Sequence, residues 1–343
     1  MIFNKNQTGV FEIKELIGFI YKSTNFENMI TYIGFAQRDL KKIIGKELFA
    51  LAESHYKSGN FCLAEPDEDH PEYSVLDELV KKIQFPVAVN AYRRYVPSID
   101  LQHSDKGRQI TVTNEDKPAF EWQIEKDNEN LVSLANEGVD FLLEFLDDHI
   151  DDKAGTETDA PYLLPWGASK EFQATRELLI YNVDQLERIY SVKGSRLVYL
   201  SLVPFMRQVQ DNEIRSCFSP EDWNDLKDQV LDGDFSDNNK VIIEQARAPL
   251  ALLALSIAIR RLSIEILPDG LFTNQVTGVI KSKLSTSKID RIEVSGYLEK
   301  DGLRELKKLQ DTLKNFKAIT TGAIVTTADL TDRIDPDKKY ARL

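Results

Sequence analysis

The chain has 343 residues, of which 42% are hydrophobic and 29% charged, enough apolar material for two ordinary domains or one large one. A formal net charge of −13 argues against a broad phosphate-binding face, which needs a basic surplus, but leaves room for DNA that slides past without adhering. Two cysteines without metal spacing, an N-terminus lacking a basic-then-apolar leader, and a longest near-apolar run of only 248–259 predict no disulfide framework, no signal peptide and no membrane span.

The first predicted helix covers 10–21, with Val10, Ile13, Ile17 and Ile20 on one face. In the following STNFE, Ser23, Thr24 or Asn25 can cap the next helix, and Glu27 suits its positive end. That second helix carries Met29, Ile30, Ile33, Ala36, Leu40 and Ile43 at steps of three and four. It breaks or bends near Gly45 and continues through Leu48, Leu51 and Ala52. Residues 59–73, rich in Pro, Gly and Asp, read as a loop. A helix over about 74–95 contains Pro86, which should bend or restart it. SIDLQH and RQITVT then flank SDKG as a short β-hairpin. Another helix begins near Pro118, with a stripe of Phe120, Ile124, Leu131, Leu134, Val139, Leu142 and Leu146 that shifts phase along the way. The acidic, polar segment that follows, through 161, predicts a solvated linker.

The second half repeats this order. A helix is expected over 169–191, with Phe172, Leu179, Ile180, Val183, Leu186 and Ile189 as its stripe. GSRLVYLSLVPFM then mirrors GKELFALAESHY, with Gly194, Leu197 and Leu200 in the places of Gly45, Leu48 and Leu51. Ser219, Pro220 and Asp222 mark a helix start. An apolar helix containing Pro249 leads to SIEILPDGLFTN, a second hairpin. The interval from Pro249 to Gly270 equals that from Pro86 to Gly107, although the basic pairs Arg93–Arg94 and Arg260–Arg261 align less well. Internal duplication and chance similarity of two helix–hairpin units both fit this pattern. Residues 302–316 form an amphipathic helix with Leu303, Leu306, Leu309, Leu313 and Phe316; the Thr-rich remainder reads as an extended arm or a frayed tail. The expected fold is mainly α: two similar helical modules, each with a short β-hairpin, plus a C-terminal helix and extended arm. The expected divisions are 1–150, a linker at 151–161, 162–280, and 281–343.

No residue stands out as catalytic, cofactor-binding or metal-ligating. The five acidic or imidazole groups beside Ile150 in DDHIDD would diverge around a helix end rather than converge on a cation. His55, His70, His103 and His149 are scattered, and Cys62 and Cys217 have no neighbouring histidine. No nucleophile elbow, phosphate-binding loop or dinucleotide fingerprint occurs. An enzyme is the minority reading. Arg93, Arg94, Arg260 and Arg261 close apolar helices, where they either complement the helix dipole or bridge to carboxylates of an adjacent subunit. Tyr92, Tyr95, Trp122, Trp166 and Trp223 are either contact anchors or core.

The stretch FEIKELIGFIYKSTNFENMITYIGFAQRDLKKIIGKEL, followed by VKKIQFPVAVNAYRRYV and a hairpin, resembles the start of tailed-phage head–tail connector proteins. The whole chain up to about residue 280 also resembles an uncharacterised Bacteroidetes and prophage family. Its expected signatures appear here as IIGKEL, FPVAVNAYR, AFEW and ILPDG, the last with Asp269 in place of Glu. Connector proteins are about one domain long, so a doubled chain departs from their pattern. The resemblance implies a virion protein, assembled in the bacterial host cytoplasm, that forms a homo-oligomeric ring below the portal. Its partners would be portal and tail proteins, with passing DNA contact, no sequence recognition and no membrane. A cytosolic helical interaction scaffold without a virion role is the alternative.

Overall fold

Apolar residues at three- and four-residue steps build the first elements of the computed structural model, which describes residues 1–18, 25–58, 61, 71–99, 102–104, 107–109, 120–150, 155–156, 158–261 and 288–321. Helix α1 (Gly9–Ile17) ends four residues before its expected limit, because Gly18 turns left-handed (φ 70°) and returns its N–H to Lys14 O. Helix α2 (Phe26–Ile44) begins at Asn25, whose side chain accepts a hydrogen bond from Glu27 N. Gly45 takes φ 86°, and α3 (Lys46–Lys57) follows at once. A side chain at that φ would be strained, so the break falls where the glycine stands.

Helix α4 (Pro71–Ile99) runs through both Pro86 and Pro97. Pro86 therefore neither restarts the helix nor ends it. The lost backbone bond is offset by burial on either side, with Leu79, Val80, Ile83, Val87, Ala88, Val89 and Ala91 all withdrawn from solvent. Because α4 continues to Ile99, Ser98 and Ile99 are helical rather than part of a strand. Strands β1 (Gln102–Ser104) and β2 (Gly107–Gln109) pair antiparallel, with His103 opposite Arg108. The other hairpin expected, within 263–274, lies outside the described residues, as does most of the 59–73 loop. Helix α5 (Glu121–Asp148) starts at Phe120 and packs along α4.

The helix expected over 169–191 is instead two short helices. A 3-10 turn (Pro161–Leu163) and α6 (Leu164–Gly167) precede α7 (Lys170–Arg176) and α8 (Val183–Glu187), with non-helical chain between the last two. Leu178, Leu179 and Ile180 are buried in that non-helical stretch, so its backbone needs partners other than water. Side chains supply them. Gln210 accepts from Leu179 N and donates to Glu177 O, Arg207 donates to Ala174 O, Arg247 to Leu179 O, and Tyr199 to Ile180 O. The apolar spacing resembled a helix because consecutive buried residues of a bound loop can mimic one.

Helix α9 (Arg196–Val209) passes into a π turn (Gln210–Ile214) and a short 3-10 turn. Helix α10 (Pro220–Asp232) opens on Ser219, which accepts from Asp222 N, and closes on left-handed Gly233. Helix α11 (Asp237–Arg261) contains Pro249 and is long and apolar enough by composition to cross a membrane, but 72% of its apolar window is buried within the fold. It packs along most of α12 (Lys288–Thr321). Residues 318–321, assigned above to an extended arm, are therefore helical; the rest of the arm lies outside the described residues. Leu303, expected in the α12 stripe, is exposed, whereas Leu298, Leu306, Leu309 and Leu313 are buried.

Two hydrophobic cores result. The first gathers α1–α5 and continues through Ala160, Leu163, Trp166 and Phe172. The second starts at Leu178 and ends at Leu313. The cores thus meet near residue 175, beyond the expected 151–161 linker, and α12 belongs to the second core rather than standing apart. A close approach pins the chain ahead of this junction, within the first core: a Cβ on Gly167 would lie 2.0 Å from Gly155 O, so that crossing requires two glycines.

Candidate interaction stripe and a buried charge cluster

Helix α5 builds the first core and also contacts α9, which carries the second. Leu131, Ala135, Val139, Leu142 and Leu146 face the first. On its other side Asp140 receives the N-terminus of α9, with Oδ2 accepting from Ser195 Oγ at 2.8 Å and Oδ1 from Leu197 N at 2.6 Å. Burial pushes the Asp140 carboxyl above its usual range, only partly opposed by the hydrogen bonds from Leu197, Ser195 and Arg196.

Two turns further on, Asp147 Oδ1 accepts from Trp166 Nε1 at 2.9 Å, and Oδ2 lies 2.7 Å from Arg196 Nε. The opening aspartate of the expected solvated linker is therefore an anchor between helices. The Arg196 contact is an ion pair by distance, with Nε–H left without an aligned acceptor; among the described residues Nη1 and Nη2 have no aligned acceptor either, although the residue is only 4% exposed and its guanidinium lies near the Tyr199 hydroxyl. Arg196 Cζ sits 4.7 Å from the Tyr199 ring. Arg176 completes the group, its Cζ 3.8 Å from the centre of the Phe172 ring and its buried Nε unpaired. Burial lowers its pKa, Asp147 opposes that, and Arg196 adds to it. Burial likewise raises the Tyr199 hydroxyl, against the pull of both arginines.

The arginines singled out in the sequence are tied within the chain. Arg94 Nη2 donates to Asp39 Oδ2 at 2.8 Å, Arg93 Nη2 to Asn90 Oδ1 at 3.3 Å, Arg260 Nη1 to Glu299 Oε2 at 3.2 Å, and Arg261 Nη1 to Gln208 Oε1 at 2.9 Å. Of the aromatics, Tyr92, Tyr95, Trp166 and Trp223 are core, and only Trp122 is exposed, at 62%. His55 is buried with Nε2 2.6 Å from Asp77 Oδ1; His149 Nδ1 lies 2.7 Å from Asp159 Oδ1. Cys217 is a half-buried free thiol raised by burial. Cys62, His70, the His103 side chain, Asp151 and Asp152 fall outside the described residues. Among the described residues no three His, Cys, Asp or Glu side chains form a metal-binding group.

The least expected feature is at the start of α5. Of its predicted stripe Leu131, Val139, Leu142 and Leu146 are buried and Leu134 half-buried, but Phe120 is 69% and Ile124 41% exposed. At 100° per residue these two project from the same side of the helix as Leu131, Ala135 and Leu142. Two apolar residues on this side thus lie beyond the core, separated from Leu131 by the exposed Asp127. Phe141, on the flank of the same helix, is 58% exposed. Periodicity alone could not reveal this, since it reports which residues share a side but not where their cover stops.

A sequence family described as "Family of unknown function (DUF6712)" matches residues 40–156 and 214–319. No curated protein and no solved structure matches the chain significantly.

Proposed function

We propose that this chain, which belongs to the DUF6712 family of unknown function, is a structural adaptor that assembles through helical surfaces, as a ring-forming head–tail connector of a tailed-phage particle. The observation that carries this reading is the pair of exposed apolar residues at the start of α5, on the side that faces the first core further along the helix. Phe120 and Ile124 offer a helix side already patterned for packing, of the kind that helix-in-groove contacts use. A ring requires a heterologous contact, in which one face of a subunit meets a different face of the next. A protruding helix end is suited to that geometry. The resemblance of residues 11–48 and 80–96 to connector proteins supplies the particle, and the acidic net charge suits a lumen from which DNA phosphates are repelled.

Internal duplication is part of the same proposal. In each half a long helix with an interior proline, α4 with Pro86 and α11 with Pro249, packs on the next long helix, α5 or α12. Each partner helix makes the contact through a glycine. A Cβ on Gly138 would meet Phe85 at 2.6 Å, and one on Gly302 would meet Leu253 at 2.7 Å. The two family-matched segments end at 156 and 319, the same interval that separates Pro86 from Pro249. One copy would form the ring and the other meet the next tier.

The test is assembly of the purified protein, alone and with portal and tail proteins, followed by light scattering and negative-stain imaging. Rings are expected with the portal present. The double variant Phe120→Asp, Ile124→Asp should keep the wild-type melting temperature within about 1 °C, because exposed sites tolerate substitution, and should lose assembly. A protein that stays monomeric with every particle component sinks the virion reading. If it instead captures cytosolic proteins through the same stripe, the interaction-scaffold alternative takes its place.

A further inference from the structure

We propose that Arg176 and Arg196 form a binding site for a small oxyanion, of the phosphate or simple carboxylate type. Among the described residues the cluster holds two guanidinium groups and one carboxylate, Asp147, and that carboxylate is already engaged. Oδ1 takes the Trp166 indole N–H, and Oδ2 lies against Arg196 Nε. What remains is the outer fork of Arg196, Nη1 and Nη2, both buried beside the Tyr199 hydroxyl and, among the described residues, both without an aligned acceptor, together with the unpaired Nε of Arg176. A buried guanidinium with empty donors is costly, and the cost grows when a second cation stands nearby. One more anion at this point would satisfy the fork and balance the charge.

The geometry favours a small oxyanion over a chloride-like sphere. Two parallel N–H groups on a planar fork match two oxygens of a carboxylate or phosphate. The amides that would otherwise draw an anion to the start of α9 are occupied, Leu197 N by Asp140 and Val198 N by Ser195 Oγ. The anion is therefore held by side chains rather than by the helix end. Arg196 is the floor of the site. Arg176 and Asp147, both only partly covered, form its rim, and Arg176 is steadied by its stacking on Phe172. The site sits where α5, α7 and α9 converge, so a bound anion would tighten the junction of the two cores.

The experiment uses the full chain at fixed ionic strength. Phosphate, acetate and chloride are titrated while the melting temperature is followed, with calorimetry for affinity. Phosphate or acetate at about tenfold its dissociation constant should raise the melting temperature saturably by roughly 2 °C, with chloride inert. A response to phosphate alone assigns a phosphate-type ligand, and a response to acetate assigns a carboxylate. Arg176→Gln, on the partly exposed rim, should fold as wild type and lose at least tenfold in affinity; Arg176→Lys should recover part of it. Arg196→Met should abolish the response. Should that variant fail to fold, Arg176→Gln alone decides. Equal shifts with all three anions, or an undiminished response in Arg176→Gln, overturn the proposal.

Discussion

Asp39 illustrates how much of a residue's role depends on partners distant in sequence. Burial raises its carboxyl, but hydrogen bonds from Arg94 and Lys42 outweigh burial and hold it below its ordinary value of 3.8. A depressed folded pKa contributes stability that is present above the unfolded value and is lost as pH falls through the folded one. Arg94→Gln should therefore cost about 0.5–1 kcal/mol at neutral pH, since the pair is only partly covered. The gap from wild type in urea midpoints should close as the pH drops below 3.8; a constant gap down to pH 2 would sink this account. Arg94 was legible in the sequence as a cation closing an apolar helix, yet nothing local names Asp39 as its partner. The same holds for Asp140, Asp147 and Arg196, whose contacts join α5 to a segment about 50 residues away. By contrast, the caps at Asn25 and Ser219 were legible because a cap is satisfied within three residues.

At the scale of elements, helices with a one-sided stripe and a local stop were readable, and those held by the surrounding protein were not. The α2–Gly45–α3 break follows from a glycine that both ends one helix and admits a positive φ. The unbroken α4 contradicts its own proline, because packing against α2, α3 and α5 overrides local propensity. The stretch over α7 and α8 departs furthest from its helical expectation, since its buried backbone is satisfied by Gln210, Arg207, Arg247 and Tyr199 from later in the chain. Just ahead of it lies the glycine crossing. Gly167→Ala should force Gly155 and its neighbours apart, because the added Cβ meets a backbone oxygen rather than a yielding side chain. A loss of about 2–3 kcal/mol in chemical denaturation is expected. A loss below 0.5 kcal/mol would mean that the loop shifts freely and the crossing is not fixed.

For the molecule as a whole, the mainly helical class was legible from periodicity, while the division into parts was not. Composition placed a boundary at the acidic stretch, but the stretch is short, and α6 and α7 turn back to bury Trp166 and Phe172 in the first core. Helix α5 then binds α9 through both carboxylates. Heating should accordingly produce a single transition, with hydrogen exchange of buried amides in α5 and α9 slowing together. Two separated calorimetric peaks would mean independent halves. The shared helix also bears on mechanics. A load applied to either half is transmitted along a stiff strut more than 40 Å long, at the rise of 1.5 Å per residue over its 28 residues. In a stacked assembly such a part would relay twist from one tier to the next rather than absorb it.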